Sequence, residues 1–287
     1  MSSNRPKFRI DFQSPPRPFL HKYDRLLPAS SQSPEIPPTF LSALTVRENV
    51  FVHELGAVPL EHHLDTDDAR SCHWVLFNRS PGSNELSPRA NPSSKAQVQP
   101  PEHKLEQKVE NETDEQHAKP IGTIRLIPSP HYSRHPLPGS RLNPDLHQLP
   151  NPPLPASEVF FAPAPTYTPD RATSFHDGLE PYVKIGRLCV VKEWRGKGCA
   201  SMLIQEALRW ISENPGFTCQ NNAEEYVAQE RKWNGLVCAL AQEGAITTWQ
   251  KNGFKVDEGM GDWWDGGIRH VGMWVRVDVQ NSREESR

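Results

Sequence analysis

Apolar and polar residues along the chain follow two different rhythms, separated by stretches that follow neither. Between Pro38 and Leu55, Phe40, Leu41, Leu44, Val50, Phe51 and Leu55 recur every three to four residues, with Arg47, Glu48 and Glu54 between them. That spacing predicts an amphipathic helix opened by Pro-Thr and stopped at Gly56 and Pro59. From 198 to 213, Ala200, Leu203, Ile204, Ala207, Leu208 and Ile211 fall on one helical face, and Pro215-Gly216 ends the run. A shorter helix is predicted from about 244 to 251, closed by Asn252-Gly253, and a polar one over 223–232. Strands are predicted at His73–Phe77, at Ile121–Ile127 (ended by Pro128), from Tyr182 to Val191, at Leu236–Leu240 and from Val271 to Val277. Phe8–Phe12 also alternates and reads either as an edge strand or as a sticky piece of tail.

Four stretches lack both rhythms. Residues 1–37 are polar and Pro-broken and read as a largely disordered tail; 278–287 read as a second tail. Residues 79–118 hold almost nothing apolar and cannot offset their own ordering entropy. Residues 129–179 are Pro-dense, as in Asn151-Pro152-Pro153-Leu154-Pro155, which favours extended conformations outside any sheet. Val159-Phe160-Phe161 is the one piece there expected to dock. The expected organisation is therefore one domain over 38–277, interrupted at about 79–118 and 129–179. Composition supports this: 29 of 287 residues are Pro, and only 36% are hydrophobic. Removing the insertions leaves roughly 150 to 170 residues, the size of one α/β domain.

A net charge of −3 gives no electrostatic reason to expect a nucleic-acid partner. Cys72, Cys189, Cys199, Cys219 and Cys238 are odd in number and lack CxxC spacing, so neither a disulfide framework nor a zinc site is expected, and no metal. The first residues lead into no apolar core of a secretory signal, and no apolar run of about 18 residues exists. A chain without membrane contact, in the cytoplasm or nucleus, is the expectation.

Candidate chemistry concentrates at Arg195-Gly196-Lys197-Gly198-Cys199-Ala200, between an apolar strand and an amphipathic helix. A helix N-terminus offers unpaired N–H groups and the positive end of the dipole, which suit a pyrophosphate. Gly196 and Gly198 remove Cβ atoms that would keep the backbone from the anion, Ala200 is small, and Arg195 and Lys197 add charge. Neither G-x-G-x-x-G nor G-x-x-x-x-G-K-[ST] is present, so this is neither a Rossmann loop nor a P-loop. These six residues alone read equally well as an ordinary turn that uses glycine for its dihedrals.

The wider segment from Ile185 to Leu203 resembles the acetyl-CoA motif of the GNAT N-acetyltransferases, with Arg195, Gly198 and Ala200 in the fixed places of [Gln/Arg]-x-x-Gly-x-[Gly/Ala]. Ala241–Phe254 resembles the family's helix along the CoA arm, ending in Gly253-Phe254. Asp265–Met273 resembles the last strand of the YjcF/ElaA-like branch, and Val46–Glu54 matches that branch too. The resemblance implies an α/β fold: a mostly antiparallel twisted sheet with splayed middle strands, flanked by helices. It implies acetyl-CoA as co-substrate and direct acetyl transfer to a primary amine, most simply of a small molecule such as an amino sugar, polyamine or amino-acid-like amine. A protein or peptide acceptor, and a non-catalytic acyl-CoA-binding module, are the alternatives.

On that resemblance, the backbone of Leu188, Cys189, Val190 and Val191 pairs with the pantetheine arm. The N–H groups of Gly196, Lys197, Gly198, Cys199 and Ala200 hold the pyrophosphate, and an N–H near Cys189 or Val190 polarises the thioester carbonyl. Trp249 stands on the CoA-arm helix where many relatives carry a Tyr acid, and an indole has no useful acidity. His270 and Glu54 are the candidate proton-transfer residues, with Glu61 and His73 behind them. Asp65, Asp67 and Asp68 read either as a solvated acidic turn or as an attractor for a cationic amine. Trp263-Trp264 either caps a pocket or closes the sheet's end.

Overall fold

A computed structural model describes residues 8–78, 118–142, 152–219 and 232–280. Among these, nine strands form one mixed sheet. They are β1 (Phe8–Gln13), β2 (Cys72–Asn78), β3 (Lys119–Ile127), β4 (Arg141–Leu142), β5 (Val183–Val190), β6 (Leu236–Gln242), β7 (Lys255–Val256), β8 (Asp262–Asp265) and β9 (Ile268–Arg276). Their order across the sheet is β1-β2-β3-β5-β6-β9-β8-β4, with β7 also on β9. Pairing is antiparallel except for β5 with β6 and β4 with β8.

Among the described residues, four α-helices clothe the sheet: α1 (Pro38–Arg47), α2 (Ala156–Phe160), α3 (Cys199–Glu213) and α4 (Ile246–Lys251). The helix predicted from Pro38 to Leu55 is present, but after Arg47 it widens into a π-helical segment, Glu48–Glu54. Helix α3 buries Cys199, Leu203, Ile204, Ala207 and Ile211, the face its periodicity predicts. Along β3, β5 and β6 the side chains alternate between two cores. Ile124, Leu126, Val183, Ile185, Val190, Val237, Ala239 and Ala241 enter the main core beneath α3 and α4. On the opposite face, Cys189 packs under α1 with Val46 and Val50, while Cys238 joins Tyr182, Met260, Trp263 and Trp274.

The structure departs from the expected organisation in three places. Residues 8–37 are packed rather than tail-like: of the two readings of Phe8–Phe12 the edge strand holds, β1 pairing with β2, and Leu20, Tyr23, Ala29 and Ile36 are buried against Phe40 and Leu44. Their Pro-broken pattern hides the anchors because each contacts the core alone, with no repeat. The second insertion is also structured over its described residues. It supplies β4 at the far edge, and, as expected of Val159-Phe160-Phe161, α2 docks there, burying Val159 and Phe160 beside Leu20 and Tyr23. The turn from Asp262 to Asp265, read only as Trp263-Trp264, is strand β8, with Trp263 buried in the sheet's end. All but the last residue of the first insertion, and all but the last residue of the polar helix expected over 223–232, lie outside the described residues.

Candidate active site

The centre of the sheet is open. The parallel pair β5–β6 joins at only three positions, Val183 with Val237, Lys184 with Cys238 and Ile185 with Ala239, and β5 runs on to Val190 without β6 beside it. The gap begins where β5 bulges. Against β3, Thr123 faces Cys189 while Arg125 faces Gly186, so β5 carries an extra residue there, and Arg187 adopts a left-handed φ of 50°. Beyond the bulge the ladder to β3 resumes, and the Val191 N–H donates to Ile121 O at 2.9 Å. Successive N–H groups on a strand point to opposite edges. The Val190 N–H therefore points away from β3, into the gap.

At the end of the gap β5 passes into the glycine turn. Gly196 and Gly198 have φ of 73° and 81°, and a Cβ on either would meet nothing within 4 Å. Both positions require glycine for their dihedrals, and both leave open space at the start of α3. The α3 ladder closes first at the Met202 N–H on Gly198 O, 3.1 Å, so the N–H groups of Cys199, Ala200 and Ser201 precede it. Lys197 lies over the Trp194 ring at 4.7 Å. Helix α4 docks on this end through Asn252, whose Nδ2 donates to Ser201 Oγ at 3.0 Å.

Arg195 braces the turn rather than reaching out of it. Its Nε donates to Val190 O at 2.9 Å, and its two terminal nitrogens each donate to a Glu54 oxygen at 2.6 Å. Those bonds hold Glu54 below the usual carboxylate range, so Glu54 is an anchored anion and a poor base. Trp249 is buried in the main core, edge-on to Phe254 with centroids 4.8 Å apart; its indole fills space. Cys189 and Cys199 are buried as well, and burial pushes the Cys189 thiol up to about 12, which removes it as a nucleophile.

His270 is the third residue of β9, directly opposite Gln242 at the open end of β6. Its Nδ1 donates to Ile268 O at 2.8 Å, which leaves Nε2 as the lone-pair nitrogen, and the ring stacks on Trp263.

The acidic turn is only partly solvated, and its carboxylates are committed to arginines rather than available to an amine. Asp68 is fully buried and accepts from Arg47 at 2.7 Å and 3.1 Å and from Arg125 at 2.7 Å. Asp65 accepts from Arg125 and from Arg187, each at 2.7 Å, and Asp67 accepts from Arg70 at 2.8 Å. Burial alone would raise Asp65 and Asp68; the neighbouring guanidinium groups outweigh it, taking Asp65 to about 2 and Asp68 well below the usual range. Sequence reasoning missed this ladder because its three arginines are scattered over α1, β3 and β5. Glu61 contributes only its backbone carbonyl, to Arg25, and His73 is buried against the Asp68 carbonyl. Among the described residues, no cluster of three His, Cys, Asp or Glu side chains is placed to hold a metal, and no helix is long and apolar enough to cross a membrane.

The mixed sheet with a parallel, splayed central pair is the GNAT architecture that the sequence resemblance implies. No protein-family profile matches the sequence, and no curated protein matches it. Solved structures do. The chain is similar to an N-acetyltransferase candidate from Lactobacillus plantarum, at 16% identity and a TM-score of 0.44, over 95% of this chain and 99% of that one. It is similar to Escherichia coli ElaA at 15% identity and a TM-score of 0.38, over 93% and 99%. An acyl-CoA N-acyltransferase from Pseudomonas aeruginosa matches at 14% identity and a TM-score of 0.36, over 87% and 95%. At such values the functional reading stands on the chain's own bulge, gap and turn.

Proposed function

We propose that the chain is an acetyl-CoA-dependent N-acetyltransferase acting on the primary amine of a small molecule. One observation carries this: β5 loses its parallel partner after three residue pairs, and its free edge leads, through one 3-10 turn at Lys192–Trp194, into a glycine turn at a helix N-terminus. A free strand edge suits an extended amide-bearing arm, and an open helix start suits a pyrophosphate, in that order along one line. The turn fits the group, since neither glycine position is crowded.

On this reading Leu188 to Val191 hold the pantetheine arm, and the N–H groups of Gly196 to Ala200 hold the pyrophosphate. The bound thioester supplies the acyl group. Of Cys189 and Val190, the ladder favours the Val190 N–H as the donor for the thioester carbonyl, because Val191 points the other way. His270 Nε2, directly or through water, accepts the amine proton. Trp249 leaves the thiolate unassisted, which a thiol of ordinary acidity tolerates. A small acceptor is favoured because the β8–β9 turn closes on the loop after α1: a Cβ on Gly266 would lie 3.5 Å from the Ala57 carbonyl.

The test is acetyl-CoA binding by calorimetry, followed by thiol release over an amine panel. Gly198→Glu is expected to abolish binding through like-charge repulsion and blocked approach. Tight binding by that variant, in folded form by circular dichroism, would remove the pyrophosphate assignment.

A further inference from the structure

Among the described residues, Arg187 is the only non-glycine residue in a left-handed conformation, and it sits at the bulge one residue before Leu188. Alternation places its side chain on the α1 face of the sheet, as its bond to Asp65 requires. The same face receives Leu240 and Gln242 from β6 and His270 from β9, because Ala239, Ala241 and Val271 point into the main core. Arg187 and His270 thus flank the gap on one face. Leu240 between them is exposed.

The charges around Arg187 are unequally used. Arg47, Asp68, Arg125, Asp65 and Arg187 form a ladder of three guanidinium groups and two carboxylates, with one positive charge in excess. Both Asp65 oxygens are taken: Oδ1 by Arg125 and the Asp67 N–H, Oδ2 by Arg125 and Arg187. Asp68 is taken by two arginines and the Asp65 N–H. No carboxylate on the ladder remains for an ammonium group, and Glu54 nearby is closed by Arg195. Arg187 is the opposite case. Among the described residues its one hydrogen bond runs from Nη2 to Asp65, its Nε is buried without an acceptor, and a third of its side chain is exposed.

We propose that Arg187 anchors the acceptor by binding an anionic group, a carboxylate or a phosphate ester, carried on the same small molecule as the amine. The inference rests on the acetyltransferase reading and narrows it: the substrate is an amino-acid-like or phosphorylated amine, and polyamines are excluded. Asp65 fixes the guanidinium from behind, and Arg125 and Asp68 fix Asp65, so the donor is oriented before the ligand arrives. The ladder's excess charge repels a polycation and attracts an anion in a partly desolvated site.

The experiment compares paired acceptors with acetyl-CoA: an amino acid against its amide, and an amino-sugar phosphate against the free amino sugar. At least one anionic member is expected to exceed its neutral partner in kcat/KM by about 10- to 100-fold, the worth of one charge-assisted bond. Which pair shows the preference separates carboxylate from phosphate. Arg187→Gln is expected to erase that ratio mainly through KM, Arg187→Lys to restore part of it, and both to bind acetyl-CoA as the native chain does. Equal turnover of both members of each pair, or good turnover of polyamines, overturns the assignment while leaving the acetyltransferase reading intact. Failure to bind acetyl-CoA at all overturns that reading and this inference with it. The native chain alone decides the matter if a variant misfolds.

Discussion

Asp68 lies between two guanidinium groups with no exposure, and its worth to the fold follows from what its loss would leave. Asp68→Ala would strand Arg47 and Arg125 in the core without their counter-ion, and breaking such a buried pair costs about 3–5 kcal/mol. A drop of that size in urea denaturation is expected, and a change below about 1 kcal/mol would mean that water relieves the site. The histidines set the acid limit. Burial is the main cause that lowers His63 to about 3, and likewise His73 and His135 to about 4. In the unfolded chain they titrate near 6.5. Between about pH 6.5 and 4 the unfolded chain thus takes up protons that the folded chain refuses, so stability is full above that window and falls as the pH drops through it. For His73 alone the shift is worth roughly 3 kcal/mol at the bottom of the window. His73→Gln is expected to flatten the plot of denaturation midpoint against pH between 7 and 4; an unchanged slope would mean that His73 is not the group refusing protons.

Among the elements, legibility in the sequence followed repetition. Helix α3 and strands β2, β3, β5, β6 and β9 repeat an apolar rhythm, and each lies within a few residues of its expected place. The glycine turn was legible for the same reason, because strand, turn and helix occur in one unbroken run. Single anchors were legible only in part. Leu20, Tyr23 and Phe160 each plug the α1-side core from a Pro-broken segment, with Tyr23 and Phe160 edge-on at 5.7 Å, and of these only Phe160, in its apolar run Val159-Phe160-Phe161, was expected to dock. Proline there stiffens the approach and does not prevent docking. Phe160→Ala is expected to destabilise the chain by about 3–5 kcal/mol, as truncation of any fully packed aromatic does. A loss under about 1 kcal/mol would show that α2 only rests on the surface. The acidic turn was misread because charge partners distant in sequence leave no local signal: Asp65 meets Arg187 across 122 positions.

For the whole molecule, the sheet divides at its centre into β1-β2-β3-β5 and β6-β9-β8-β4, joined by three residue pairs, with the second insertion crossing from β3 to the far edge before returning to β5. On the proposed reading, acetyl-CoA lies along the free edge of β5. A ligand held at about 100 times its Kd adds about 2.7 kcal/mol to stability. Hydrogen exchange is expected to slow at Val190, whose amide faces the gap, more than at Val191, which is already paired to Ile121. Uniform slowing over the whole sheet would contradict a strand-like mode of binding.

That three-pair seam has a consequence for the life of the protein. On the proposed reading, a sheet completed by its co-substrate keeps part of its folding instruction outside its own sequence. If acetyl-CoA binds there, yield on expression and survival against proteases are expected to rise with the supply of activated acyl groups.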